Sequence, residues 1–187
     1  MTEEVNMVLE EARSGMQRAL GHLETELTKI RAGKASPSML EGVMVDYYGS
    51  PTPLNQVANV NSLDGRTLSV QPWEKAMLDE IAKGILNANL GLNPQNNGEL
   101  IMINVPPLTE ERRRDLVKSA KSEGEDAKVS MRNSRKEAND MIKDLKNDGL
   151  PEDMVKDAED EVQKITNEYT AKVDKLIAAK EQDIMTV

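Results

Sequence analysis

The chain contains no cysteine and no phenylalanine, one tryptophan, one histidine and three tyrosines in 187 residues. Without cysteine there can be no disulfide and no thiolate chemistry. With so few aromatic rings, any core must be aliphatic. Such a core suits helix packing, with methionine filling irregular gaps. No apolar run approaches the roughly 18 residues of a membrane span. The opening MTEEVNMVLEE is acidic where a secretion signal would be basic. These absences describe a soluble, cytoplasmic chain. Catalytic machinery is missing too. There is no Gly-Lys-Ser/Thr phosphate loop and no Gly-x-Gly-x-x-Gly run, and the polar loop Gly91–Gly98 has the wrong spacing for either. His22 has no second histidine or cysteine with which to hold a metal, and no positioned partner for proton transfer. The acids fall at helix-surface spacings, and no cleft marks a carboxylate pair. The expectation is a binding and mechanical protein, with no enzyme activity, no cofactor and no metal.

What is present is periodicity. Residues 3–31 place Val5, Leu9, Ala12, Met16, Ala19, Leu23, Leu27 and Ile30 three or four apart, one stripe of an amphipathic helix. Thr2 suits its N-cap, with Glu3 and Glu4 behind it. A second helix reads from 112 to 146, its apolar centre at Leu116, Ala120, Ala127, Met131, Ala138, Met141 and Leu145. A third spans 151–185, with Pro151 suited to its first position. Three stripes of about 30 residues each would bury one another as a long bundle with shallow crossings.

Residues 32–106 follow different rules. Short alternating runs at 43–48, 56–60, 67–71 and 99–104 read as strands, separated by turns at 48–51 and 63–66. One helix fits at 75–89, burying Met77, Leu78, Ile81, Ile85 and Leu86, with Gly91 as its stop. Trp73 reads as the anchor of this small core, with stacking on a nucleic-acid base as the alternative. The layout is α+β: a long three-helix bundle of residues 1–31 and 107–187, with a small β/α/β domain, 32–106, inserted between its first two helices. The two crossings, 31–34 and 104–107, combine the permissive Gly33 with the stiff Pro106-Pro107 and read as hinges. The residues concerned are Arg31, Ala32, Gly33, Lys34, Val105, Pro106 and Pro107.

Charge is distributed unevenly. The chain carries a formal −9, yet residues 112–146 hold 11 bases against 7 acids. On a helical wheel Lys118, Lys121, Lys128, Arg132, Arg135 and Lys136 share one flank, together with Arg114, Lys143 and Lys146, at about 80° to 180° from the apolar centre. The acids Asp115, Asp126, Glu137, Asp140 and Asp144 take the other flank, and Glu125 alone intrudes among the bases. An acidic protein with one basic ridge is suited to lay that ridge on a polyanion. The scarcity of aromatics argues against single-strand stacking as its main mode.

Three stretches resemble the ribosome recycling factor family. They are Ile30–Pro37 with Val45–Leu54, Leu90–Pro94 leading to Val105–Arg113, and Met131–Asp140. They occur in order and span essentially the whole chain. The resemblance implies an L-shaped molecule in which the bundle lies on large-subunit rRNA of the 70S ribosome. The small domain would meet elongation factor G, and the two factors together, with GTP, would split the post-termination ribosome into subunits. It implies a monomer that hydrolyses nothing itself and touches no membrane. The family's key arginines fall on Arg132, Arg135 and Arg31. Lys34 and Lys136 stand where the family often has arginine; lysine keeps the charge but loses the bidentate fork. Two other classes remain open to the sequence: a coiled-coil scaffold for a partner's helices, and an architectural nucleic-acid-binding factor.

Overall fold

Apolar residues spaced by threes and fours near both ends of the chain form three long helices. The computed structural model describes residues 2–186. In chain order its elements are α1 (Glu3–Lys29), β1 (Met44–Tyr47), β2 (Ser50–Pro53), β3 (Ala58–Ser62), β4 (Thr67–Pro72), α2 (Leu78–Asn87), β5 (Asn93–Asn96), β6 (Ile101–Asn104), α3 (Glu110–Asn147) and α4 (Glu152–Met185). The chain divides into two units, one running up to Ala32 and resuming at Glu110, the other Gly33–Thr109. Each has its own aliphatic core.

In the helical unit, Thr2 caps α1 as its sequence suggests, its hydroxyl accepting from the Val5 N–H at 3.4 Å. Pro151 sits at the cap position of α4, one residue ahead of the expected place, and its carbonyl accepts from the Val155 N–H. The buried residues of α3 are Val117, Ala120, Gly124, Ala127, Met131, Ala138 and Ile142. Their spacing is heptad-like, as in helices packed side by side. This corrects the sequence wheel: Leu116 and Leu145 are only partly buried, and Met141 is 43% exposed. The wheel's apolar centre left out Val117, Gly124 and Ile142, all of them buried. The true centre lies about 40° nearer the basic flank. At Gly124 a Cβ would stand 2.7 Å from Ile177 Cγ1, so α3 and α4 approach closely there. Tyr169 is the one aromatic side chain in this core, and its hydroxyl donates to Gln17 Oε1 at 3.2 Å. The three stripes bury one another, so the apolar face that a coiled-coil scaffold would offer a partner is consumed within the unit.

The smaller unit holds an antiparallel hairpin, β1–β2, and a four-stranded antiparallel sheet ordered β3-β4-β6-β5. Helix α2 buries Leu78, Ile81 and Ile85 in the shared core. Four strands match the alternating runs. β2 and β5 were not legible, because both carry proline and polar residues without apolar alternation. Both pair on one side only, where proline's missing N–H costs no ladder bond. Leu86 is exposed rather than buried, and α2 ends at Asn87. The chain then turns at Asn89, whose φ is +51°, two residues before the expected stop at Gly91. Trp73 is also corrected. It is 62% exposed, since Leu68, Val70 and Pro72 already fill the buried side of β4. Among the described residues no helix is long and apolar enough to cross a membrane.

Candidate nucleic-acid interface

The 40° correction changes the basic ridge, because it turns one row of cations towards α4. Successive residues lie about 100° apart. Measured from Met131, Lys121, Lys128, Arg135 and Lys146 now fall at about 40° to 80°. Arg114, Lys118, Arg132, Lys136 and Lys143 fall at about 100° to 140°. The ridge is therefore two rows.

Each inner-row cation reaches a side chain of α4. Lys121 pairs with Glu181 at 3.5 Å, Lys128 with Asp174 at 2.7 Å and Lys146 with Glu152 at 3.1 Å. Arg135 instead donates from Nη1 to the amide oxygen of Gln163 at 3.3 Å, and Gln163 Nε2 donates onward to Asn167 Oδ1 at 2.8 Å. Lys128 is the most enclosed ion-paired lysine of the row, its side chain 24% exposed. The hydrogen bond to Asp174 is the main cause that raises its pKa, opposed by burial and reinforced by Glu125.

The outer row is freer. Arg132 is 55% exposed and only loosely paired, 3.7 Å from Glu125 Oε2, while Arg114 takes Glu110 one turn back. Lys118, Lys136 and Lys143 are exposed and form no ion pair or hydrogen bond among the described residues. Exposed pairs of the Arg132–Glu125 kind are worth about 0–1 kcal/mol, so they yield readily to a phosphate. Of the sequence-chosen residues, Lys118, Arg132 and Lys136 stand open. Arg135 is held by a neutral amide. Lys121 and Lys128 are engaged by carboxylates. The ridge expected from the sequence is thus open along its outer row, whereas Lys121 and Lys128 face carboxylates of α4.

Sequence reasoning missed the α4 partners. Their signal was present, however: in antiparallel helices, each step of seven along α3 matches a step of seven back along α4. That relation links 121 with 181 and 128 with 174.

Arg31 lies just past the end of α1 and is exposed. The crossings beside it differ from the expected bounds. Val105 is buried in the small core, and its N–H donates to the Arg66 carbonyl at 2.7 Å. Ala35 does likewise: its N–H donates to the Gly65 carbonyl at 3.0 Å, and its carbonyl accepts from the Ser62 hydroxyl. The 63–66 turn therefore clamps both strands of the connection into the small unit. That turn is itself tightened by Asp64, whose carboxylate accepts from the Arg66 N–H and is held below its usual pKa mainly by that bond. Only Gly33-Lys34 on one strand, and the segment from Pro106 onward on the other, lie outside the clamp. Gly33 has φ +75°, and a Cβ there would meet Leu108 Cγ at 2.5 Å.

His22 is exposed on α1, and among the described residues no group of three or more His, Cys, Asp or Glu could hold a metal ion.

The comparisons with known proteins agree on one family. The model of that family, described as ribosome recycling factor, matches residues 23–185. The ribosome-recycling factor of Christiangramia forsetii is 59% identical over 185 residues, covering 99% of this chain and 100% of that protein. That of Flavobacterium johnsoniae is 58% identical over 187 residues, covering 100% of both. A solution structure of the ribosome recycling factor aligns with 100% of both chains at 36% identity and a TM-score of 0.74. The Thermus thermophilus factor, in models of that protein and Escherichia coli elongation factor G bound to the E. coli post-termination complex, is 47% identical. It covers 100% of both chains with a TM-score of 0.61.

Proposed function

Since the chain belongs to the ribosome recycling factor family, we propose that it binds the post-termination ribosome in the cytoplasm. There, with elongation factor G and GTP, it splits the ribosome into subunits and frees mRNA and tRNA. In this reading it acts as a monomer and catalyses no reaction; GTP is hydrolysed on the partner. The helical unit supplies the grip on large-subunit rRNA. Structured RNA presents phosphates whose positions are read by shape, without base contacts. Arg132 and Arg135, three residues apart, project to the same side of α3. Each can set two N–H groups on one phosphate. Lys118 and Lys136 add point charges. Arg31 contributes near the start of the connection. The smaller unit meets elongation factor G and swings on the residues outside the clamp.

The observation that carries this reading is the row of exposed cations on α3, unpaired at Lys118, Lys136 and Lys143 among the described residues and only loosely paired at Arg132, in a chain whose formal charge is −9. The acidic remainder repels stray RNA, so the row engages only where a shaped site brings phosphates to it. An architectural factor binding naked RNA or DNA at large would not be built with that balance. Arg132→Ala and Arg135→Ala should each weaken binding to large subunits by about 1–3 kcal/mol, the range for charge-assisted contacts. Pelleting with ribosomes measures this, and light scattering with and without elongation factor G measures splitting. Folded variants with unchanged affinity would remove these residues from the grip. If elongation factor G and GTP produce no fall in scattering with the native chain, the recycling function is wrong.

A further inference from the structure

The seam between α3 and α4 is a ladder with one rung unlike its neighbours. Lys121, Lys128 and Arg135 are seven apart, and each faces α4. At the first two rungs α4 answers with carboxylates, Glu181 at 3.5 Å and Asp174 at 2.7 Å. At the third, the same step of seven arrives at Asn167, and the side chain that touches Arg135 is Gln163. Both are amides. An amide oxygen accepts a hydrogen bond as a carboxylate does, yet it leaves the guanidinium's charge whole. Gln163 is in turn braced, because its own amide nitrogen donates to Asn167 Oδ1 at 2.8 Å. That bond favours the amide orientation in which the oxygen faces Arg135. Arg135 has five N–H donors and gives one of them to Gln163. The others remain for a planar, two-point contact with a phosphate.

We infer that Gln163, braced by Asn167, is a positioning residue that orients Arg135 for an RNA phosphate while leaving its charge un-neutralised. This rests on the reading of α3 as the rRNA-binding element. The two lower rungs serve to tie the helices together, and the third is adapted to present a cation. Arg135 is partly buried, which restricts its motion, whereas Gln163 and Asn167 are exposed at the seam and can be changed without opening the core.

The test is a double-mutant cycle on binding to isolated large ribosomal subunits, with the full chain titrated across a salt series. Gln163→Glu places a carboxylate where the amide oxygen lies. It should lower affinity about tenfold and reduce the slope of log affinity against log salt by about one, the signature of one lost phosphate contact. Gln163→Ala should lower affinity with the slope unchanged, since Arg135 keeps its charge but loses its brace. In an Arg135→Ala background, Gln163→Glu should change affinity less than twofold. Equal losses in both backgrounds would show the new acid repelling RNA in general, and would overturn the positioning role. So would native affinity and slope in Gln163→Glu. Arg135→Ala with native affinity is a different failure: it removes Arg135 from the grip, and this inference with it. Thermal melts followed by circular dichroism check that each variant is folded.

Discussion

At the scale of single residues, the smaller unit carries a polar cluster that makes a clean pH prediction. The hydroxyls of Tyr47 and Tyr48 both donate to the Glu74 carboxylate at 2.8 Å, and their rings meet edge to face with centroids 4.8 Å apart. The bond from Tyr48, then that from Tyr47, holds the Glu74 pKa below its usual 4.5. The same bonds to Glu74 are the chief cause that raises both phenols above their usual 10.0. A depressed acid stabilises the fold above its unfolded pKa and loses that contribution as pH falls through the folded value. Raised phenols stabilise below their unfolded pKa and lose it as pH rises through the folded value. The cluster therefore stabilises the unit across the neutral range and fades at both ends. Glu74→Gln should lower the ionisation midpoint of two of the three tyrosines. Tyrosinate absorbance during alkaline titration reads this directly; an unchanged titration curve would show that Glu74 does not hold the phenols.

At the scale of elements, two of the mid-helix glycines, Gly21 and Gly124, are alike in sequence and opposite in structure. Around Gly21, in α1, nothing lies within 4 Å of an added Cβ. Gly21→Ala should therefore stabilise the bundle by up to about 1 kcal/mol through helix propensity alone. At Gly124 the same atom would stand 2.7 Å from Ile177 Cγ1, so Gly124→Leu must displace the Ile177 side chain or the helix that carries it and should destabilise by about 1–3 kcal/mol. Urea melts followed at 222 nm distinguish the two; the same sign at both positions would contradict the packing. This contrast also shows what was legible in the sequence and what was not. Helix extents followed from periodicity, because burial repeats every three or four residues along one chain segment. The exposure of Leu86 and Trp73 depended on which side chains had already filled the core, and that is a property of contacts between segments. Lys121 and Lys128 misled for the same reason. Their spacing marked them as a basic flank, but only the register of α4 decides that Glu181 and Asp174 engage them. Arg132 and Lys118 stood where the wheel put them, because no second helix intervenes.

At the scale of the whole molecule, the connection between the units is shorter than the sequence suggested. The backbone bonds from Ala35 to Gly65 and from Val105 to Arg66 fix both strands up to the edge of the small core. Motion, in the proposed function, is then confined to a few residues that include Gly33 and Pro106-Pro107. Gly33 adopts φ +75°, where a side chain is disfavoured, and its open face is covered by Leu108. Gly33→Ala should thus disturb the joint while sparing both cores. Ribosome binding should stay within about twofold, since the cations on α3 are untouched, while the splitting rate with elongation factor G falls at least several-fold. A native splitting rate in a folded Gly33→Ala variant would show that this position is not part of the moving joint.

The placement of Trp73 has a practical corollary. The chain's one indole lies 62% exposed on the smaller unit, and the helical core holds no tryptophan at all. Tryptophan fluorescence, excited selectively, therefore has no reporter in the bundle core. It is instead a native, label-free probe of whatever comes to cover that corner of the molecule.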